Sequence, residues 1–321
     1  MRNSAPSKVR LVTVSEEDAG QRLDNFLMRQ LRRVPRALVY RIVRKGQVRV
    51  NKKRARVSDR LRVGDVVRIP PVQQAAPAPQ RAFDEAARTR FEALVLYEDN
   101  DLMALNKPSG MAVHGGSGLS WGLIELARAA RPRARRLELV HRLDRDTSGI
   151  ILLAKKASVL KALHAQVREH RLKKIYQALV AGRWPRGCAL VDAPLLKNTL
   201  QSGERIVRVS SEGKPSRSRF RVLAACERVS RIEVRIETGR THQIRVHTLH
   251  AGHPVLGDEK YGDAGANRQA RACGLRRLAL HAWRLGFEHP ATGQWLELEA
   301  PVPQLFTEVF ECLCQQKSAT G

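Results

Sequence analysis

The sequence predicts an α+β protein with two domains: a small, basic N-terminal domain, and a larger domain built on a mixed, mostly antiparallel sheet flanked by helices. Helical periodicity dominates residues 22–45, whereas short alternating runs rich in branched residues dominate residues 173–236. A Pro/Ala/Gln stretch without periodicity separates the two patterns. The predicted division is an N-terminal extension over 1–19, the small domain over 20–72, a linker over 73–90 and the large domain over 91–321.

Composition points to a polyanionic partner. The 321 residues are 43% hydrophobic, enough for a real core, yet they carry a formal net charge of +27. Such a charge repels itself unless a nucleic acid or an anionic surface neutralises it. No apolar run approaches the roughly 20 residues needed to cross a bilayer, and the first ten residues lack the apolar core of a secretory signal. We therefore expect a cytoplasmic protein that binds nucleic acid rather than membrane.

The five cysteines are odd in number and form no C-x-x-C pair. They are Cys188, Cys226, Cys273, Cys312 and Cys314. This pattern predicts reduced cytosolic thiols, and neither a disulfide framework nor a zinc site.

The small domain is predicted to present a basic helical face. Apolar positions recur on one stripe of a first helix over 22–31, and Pro35 suits the first turn of a second helix that ends before Gly46. Residues 22–70 contain 16 lysines or arginines against 3 aspartates, a net charge of +13. A helix face that is merely exposed to solvent would also carry acidic residues among the basic ones. The predicted RNA contacts here are Arg32, Arg33, Arg36, Arg41, Arg44, Lys45, Lys52 and Lys53.

The large domain is organised around the polar stretch His141–Gly149 (HRLDRDTSG), which lies between two short apolar runs. Those runs predict two strands of a covered sheet, with the polar residues in a loop at its edge. A carboxylate flanked by arginines favours its ionised form, so Asp144 is a candidate nucleophile. The alternative is a structural aspartate that caps a turn, with Gly149 supplying a positive φ.

Two further segments carry candidate site residues. Residues 173–180 alternate as a strand, so Tyr176 either lines a cleft or packs within the sheet. In ETGRTHQIRVH (237–247), Thr241 is a plausible N-cap for a helix that runs to Ala251 and carries Arg245. A metal site is the rival interpretation of four nearby histidines, but their spacing does not fit H-E-x-x-H, and no metal or other cofactor is predicted. Those histidines are His242, His247, His250 and His253.

These segments, together with NKPSGMAVHGG (106–116), resemble the signatures of the RluA-type pseudouridine synthases. The resemblance implies that Asp144 attacks a flipped-out uridine and that Tyr176 packs the base and removes a proton. It further implies that Arg245, or less favourably Arg240, pairs with Asp144, and that Arg142 fills the vacated stack. His141 and Arg240 are expected to contact RNA.

Residues 21–51 resemble an S4-like RNA-binding domain, and residues 20–54 look most like the RluC branch of the family. That branch modifies uridines of large-subunit (23S) ribosomal RNA, so the expected partner is 23S rRNA or a large-subunit assembly intermediate. No obligate protein partner is evident, and a monomer is expected. The alternatives are the RluD branch, a non-catalytic rRNA-binding assembly factor, and a phosphodiesterase or nuclease, which would need paired carboxylates with a metal or a pair of histidines.

Overall fold

The computed structural model describes residues 9–31, 34, 36–72, 84–115, 122–134, 136–199 and 205–315, without the side chains of residues 17, 36, 199 and 205. The chain divides into two compact units, residues 1–82 and 83–321. Within the described residues, no helix has both the length and the apolar composition that crossing a bilayer requires.

The first unit packs two helices against a four-stranded antiparallel sheet of order β1-β4-β2-β3. Its buried core includes Leu23, Phe26 and Leu27 of the first helix and Val39 and Val43 of the second. The first strand comes from the predicted N-terminal extension, which therefore contributes to this sheet. The elements are β1 (Arg10–Thr13), α1 (Leu23–Gln30), α2 (Arg36–Arg44), β2 (Arg49–Val50), β3 (Lys53–Arg54) and β4 (Val66–Ile69).

The second unit contains the remaining elements. In chain order they are α3 (Glu85–Glu92), β5 (Val95–Glu98), β6 (Leu102–Lys107), α4 (Leu123–Ala130), β7 (Glu138–Leu139), β8 (Ser148–Ala154), α5 (Ala157–Arg168), β9 (Lys173–Ala181), β10 (Leu190–Asp192), β11 (Leu195–Thr199), β12 (Arg205–Val209), β13 (Arg217–Ala225), β14 (Val229–Ile236), α6 (Gln243–His250), α7 (Ala264–Ala272), β15 (Leu280–Glu288), β16 (Trp295–Glu299) and α8 (Gln304–Gln315).

A ten-stranded sheet forms the centre of this unit, with strand order β10-β13-β14-β9-β15-β8-β6-β5; β7 pairs with β8, and β16 with β15. Among the described strands of this sheet, β8 and β15 form the parallel pair and the other pairings are antiparallel. All seven residues of β8 are buried, because apolar side chains cover both faces of the sheet there. This confirms the predicted mixed, mostly antiparallel sheet.

Two elements differ from the sequence prediction. Helix α3 occupies part of the range assigned to the linker; it begins where the Asp84 carboxylate accepts a hydrogen bond from Ala87 N at 2.7 Å. The run 205–209 is a strand, but β12 pairs with β11 in a separate two-stranded ribbon outside the large sheet.

The prediction for the cysteines was wrong. Cys226 is bonded to Cys314, and Cys273 to Cys312, which leaves Cys188 as the free thiol. The two disulfide bonds join cysteines near the end of α8 to cysteines that lie 88 and 39 positions earlier in the chain. Helix α8 buries Phe306, Val309 and Leu313, and this packing brings its cysteines to the others. No local spacing in the sequence indicates such a pairing.

Candidate active site

The loop that carries Asp144 connects β7 to β8 and is held from one side by the end of β6. Lys107 is fully buried, and its ammonium donates hydrogen bonds of 2.9 Å to the carbonyl oxygens of Pro108, Met111 and Arg145. Ser109 Oγ donates to Asp146 O at 2.6 Å, and Arg145 Nε donates to Gly110 O at 3.0 Å. The NKPSG segment therefore clamps the Asp144 loop.

The other side of the loop is held by β15 and the residues before it. Arg277 Nη2 donates to Ser148 Oγ at 2.5 Å, and Ser148 Oγ lies 2.8 Å from His281 Nδ1. Gly149 has φ +109° and pairs with Ala282, whose backbone comes so close that a Cβ on Gly149 would overlap it. Both clamps come from residues distant in sequence, and together they hold the loop in one place.

Tyr176 lies on β9, opposite Ala282 of β15. Its side chain is largely buried, and burial, followed by the negative charge of Asp144, raises the pKa of its phenol. Within the described part of the chain, its hydroxyl has no hydrogen-bond partner, which leaves it available to a bound base. A protonated phenol can donate a hydrogen bond, but it cannot accept a proton until it has lost its own. The raised pKa keeps the phenol protonated, the form that donates a hydrogen bond.

The structure gives Arg245 a different partner from the one predicted. Its Nε and Nη2 atoms donate to the two carboxylate oxygens of Asp258 at 2.6 and 2.7 Å. Burial opposes the charge of Arg245, but its hydrogen bonds to Asp258 and the charges of Asp258 and Asp144 raise its pKa. The charge of Arg245 thus interacts electrostatically with Asp144. The Arg245 guanidinium itself is held by Asp258 in a bidentate pair. Sequence reasoning missed Asp258 because it lies 13 residues away in a turn with no catalytic pattern.

The helix that carries Arg245 begins later than predicted. Its N-cap is His242, in a left-handed conformation with φ 55° and ψ 20°, and not Thr241. This conformation turns the imidazole so that its Nε2 atom lies 3.8 Å from Asp144 Oδ2. His242 and Asp144 are both mostly buried, with side chains 13% and 20% exposed. From the sequence alone, His242 was a candidate only for the metal site.

Two of the other histidines of the metal alternative, His247 and His253, contact the protein itself. His247 is buried, with its two ring nitrogens 2.9 Å from Ser218 Oγ and 3.0 Å from Ala193 O. His253 Nδ1 lies 2.7 Å from Ala181 O, and His250 is exposed at the end of α6. Each of the two engaged rings has its own protein partners.

The predicted RNA-contacting residues of the second unit differ in their exposure and in their hydrogen bonds. Arg142 is exposed beside the Asp144 loop, and Arg240 is exposed while its Nε donates to Pro215 O at 3.1 Å. His141 Nε2 accepts a hydrogen bond from Leu152 N at 3.2 Å. Burial, with a contribution from the charge of Lys174, lowers the pKa of His141 to about 3. His141 is therefore neutral, and its contact with β8 is structural.

Lys174 was missed by sequence reasoning. It lies two residues before Tyr176, and burial lowers its pKa. In the part of the chain that the structure describes, its ammonium has no hydrogen-bond or ion-pair partner. A Cβ placed on Gly239 of the ETGRTH segment would lie 3.5 Å from Lys174 Nζ. A half-buried cation that has no counter-ion among the described residues suits an anionic substrate. Its place in the K-x-Y pattern was the only sequence signal.

The N-terminal unit has its own candidate RNA surface. Arg41, Arg44 and Lys45 are exposed at the end of α2. The β2–β3 hairpin turns at Asn51 and Lys52, with φ values of 49° and 64°, and exposes Lys52 and Lys53. Arg32 and Arg33, and the side chain of Arg36, lie outside the described residues.

Comparison with known proteins assigns both units. Residues 101–250 match the RNA pseudouridylate synthase family, and residues 21–67 match the S4 domain. The chain is 53% identical, over 307 residues, to the ribosomal large subunit pseudouridine synthase C of Escherichia coli K12, covering 95% of this chain and 96% of that protein. The chain belongs to the RNA pseudouridylate synthase family. It is thus a pseudouridine synthase, an isomerase, with an S4 domain that implies an RNA substrate.

Other relatives agree with this assignment. The ribosomal large subunit pseudouridine synthase C of Pasteurella multocida is 51% identical over 312 residues, covering 97% of this chain and 96% of that protein. Among solved structures, human RNA pseudouridylate synthase domain containing 4 gives a TM-score of 0.57 at 26% identity, covering 71% of this chain and 97% of the human chain. Membership of the RNA pseudouridylate synthase family thus rests on sequence and fold together.

Proposed function

We propose that this pseudouridine synthase isomerises specific uridines of 23S ribosomal RNA, with Asp144 as the nucleophile. The observation that carries the proposal is the Asp144 loop, which is clamped on both sides and places a carboxylate beside Tyr176, His242 and Arg245. The names of the bacterial relatives support large-subunit rRNA as the substrate. We propose that it acts as a monomer in the cytoplasm, where ribosomal subunits are assembled.

The reaction requires access to a base that a helical RNA hides. Isomerisation replaces the bond from the ribose to uracil N1 with a bond to uracil C5, and the proton lost from C5 is balanced by one gained at N1. The uridine must therefore leave the stack, which costs a few kcal/mol. Arg142, exposed next to Asp144, is proposed to fill the vacated position.

The other site residues have complementary proposed roles. Tyr176 packs against the flipped base and offers its phenolic hydrogen. Arg245, held by Asp258, provides a positive charge near Asp144. The exposed cations of the S4 domain contact the RNA backbone, where charge supplies most of the affinity.

Substituting the nucleophile tests the catalytic assignment. Asp144→Asn keeps the size of the side chain but removes its charge, so we expect RNA affinity to stay within about twofold of wild type while isomerisation is lost. The loss should exceed about 10³-fold, because nothing else in the site replaces the covalent step. Turnover is measured by carbodiimide labelling and primer extension on a 23S rRNA transcript. Turnover close to wild type would reject Asp144 as nucleophile.

Mapping the modification in cells tests the substrate. We expect rRNA from a strain lacking this protein to have lost pseudouridine at a few 23S positions and none in the small subunit. Complementation with wild type should restore those positions, whereas Asp144→Asn should not. Unchanged 23S rRNA would contradict the proposed substrate.

A further inference from the structure

His242 occupies an unfavourable backbone conformation for a residue other than glycine. Its φ of 55° and ψ of 20° lie in the left-handed region. Such conformations cost on the order of 1–3 kcal/mol and persist where surrounding contacts enforce them, often at functional sites. Here the conformation directs the imidazole into the pocket that contains Asp144 and Tyr261.

The hydrogen-bond partners of His242 Nδ1 bear on which ring nitrogen carries the proton. Val207 N donates to the hydroxyl oxygen of Tyr261 at 2.9 Å, so the hydroxyl hydrogen is free to point elsewhere. The Tyr261 oxygen lies 2.8 Å from His242 Nδ1. Tyr261 can therefore donate to Nδ1, and the hydrogen of the neutral ring then lies on Nε2.

Burial of the ring favours this neutral form. Burial lowers the pKa of His242, and the cations Arg245 and Lys260 lower it further, while Asp144 and Asp258 act in the opposite direction. The Arg245 guanidinium lies 4.9 Å from the centre of the Tyr261 ring, next to the imidazole. The imidazole thus presents an N–H group, and not a second full positive charge, to the carboxylate.

The Nε2–H group faces Asp144. The distance from Nε2 to Asp144 Oδ2 is 3.8 Å, somewhat longer than a hydrogen bond. Catalytic hydrogen bonds are often long in a free enzyme and shorten when the substrate binds. Arg245 is occupied by Asp258, and among the described residues His242 provides the side-chain nitrogen within 4 Å of the Asp144 carboxylate.

We propose that His242 is a positioning residue for the nucleophile, a role that rests on the proposed function of Asp144. Its Nε2–H, oriented by Tyr261, donates to Asp144 Oδ2 in the RNA complex. The donation fixes the carboxylate plane and leaves Oδ1 to form the bond with the substrate. In that complex, Val207 N, the Tyr261 hydroxyl, His242 and Asp144 form one hydrogen-bonded line into the site.

Two amide substitutions separate positioning from backbone stability. In His242→Gln the terminal amide nitrogen reaches about as far as Nε2, whereas in His242→Asn it reaches only as far as Nδ1. Asparagine, however, tolerates the left-handed conformation better than glutamine. We therefore expect His242→Asn to be the more stable variant and His242→Gln to be the more active one.

The measurements are single-turnover rate, RNA affinity and melting temperature of the full-length protein. We expect His242→Asn to lose about 10²-fold in rate, the cost of misplacing a reacting group by about 1 Å, with RNA affinity within about twofold of wild type. His242→Gln should recover to within about tenfold of wild type. The matched control is His250→Asn, at the exposed end of the same helix, which should leave the rate unchanged.

Two results would overturn the proposal. One is a folded His242→Asn with the wild-type rate; the other is a rate that follows melting temperature, with Asn more active than Gln. The Asp144→Asn variant distinguishes this failure from failure of the proposed function. If Asp144→Asn is inactive and His242→Asn is fully active, the nucleophile stands and only the positioning role is lost.

Discussion

Lys107 is a buried charge that holds the Asp144 loop without lying in the site itself. Its ammonium has three hydrogens, and three carbonyl oxygens accept them, one from the Asp144 loop and two from the residues that follow Lys107. Burial lowers the pKa of Lys107 to about 8, although the charges of Asp146 and Asp144 oppose that shift. With a pKa of about 8 the ammonium keeps its charge at neutral pH, and all three of its hydrogens are used in hydrogen bonds.

Lys107 should make stability depend on pH in a defined window. In the folded protein it loses its proton near pH 8, whereas in the unfolded chain the ordinary pKa of 10.5 applies. Between these values the unfolded state binds more protons. This group therefore raises the free energy of unfolding as pH increases, by at most about 1.4 kcal/mol per pH unit.

Chemical denaturation at several pH values measures that effect. The difference in unfolding free energy between wild type and Lys107→Met should grow from pH 8 to about pH 10.5. Lys161→Met, an exposed lysine of α5, is the control and should show no such growth. A constant difference between wild type and Lys107→Met across that window would contradict the lowered pKa of Lys107.

At the scale of elements, the parallel pairing of β8 with β15 depends on one glycine. Gly149 combines a φ of +109° with a backbone approach to Ala282 that leaves no space for a Cβ. We expect Gly149→Ala to lower the unfolding free energy by about 3 kcal/mol, through overpacking and backbone strain together. Denaturant unfolding, monitored by circular dichroism, measures the loss.

Gly110→Ala separates the two causes. Gly110 has a φ of +81°, but no atom lies within 4 Å of the position of its Cβ. Only the strain of the backbone conformation applies, so we expect the unfolding free energy to fall by about 1 kcal/mol. Equal losses at the two glycines would show that the contact between β8 and β15 does not require glycine.

The elements themselves were largely predictable from periodicity. The helix stripe of α1, the alternating run of β9 and the apolar run of β8 are patterns within about ten residues, so they are visible in the sequence. Helix α3 was missed because its amphipathic pattern is weak, with Phe91 as its one buried residue. The pairing of β12 with β11 was not predicted, because alternation identifies a strand and not its neighbour.

At the scale of the whole molecule, charge determines what the protein binds. About half of the excess positive charge lies in residues 22–70, and Arg41, Arg44 and Lys45 expose part of it on α2. Each cation that neutralises an RNA phosphate releases counter-ions, so binding weakens as salt concentration rises.

Neutralising those three residues tests this role. We expect the combined substitution Arg41→Gln, Arg44→Gln and Lys45→Gln to make the plot of log affinity against log salt shallower by about 2 units. The rate at saturating RNA should be unchanged, because the substitutions lie in the S4 domain. Lys161→Gln serves as the single-charge control. An unchanged salt slope would show that this face does not contact RNA.

The sequence by itself determined the two domains, the main helices and strands, the basic surface and the three segments that supply Asp144, Tyr176 and Arg245. All of these depend on residues close together in the chain. Only the tertiary structure decided that Asp258 holds Arg245, that His242 faces Asp144, and that the α8 cysteines bond to Cys226 and Cys273. These contacts join residues from 13 to 98 positions apart, and their formation depends on how the elements pack, which no local pattern records.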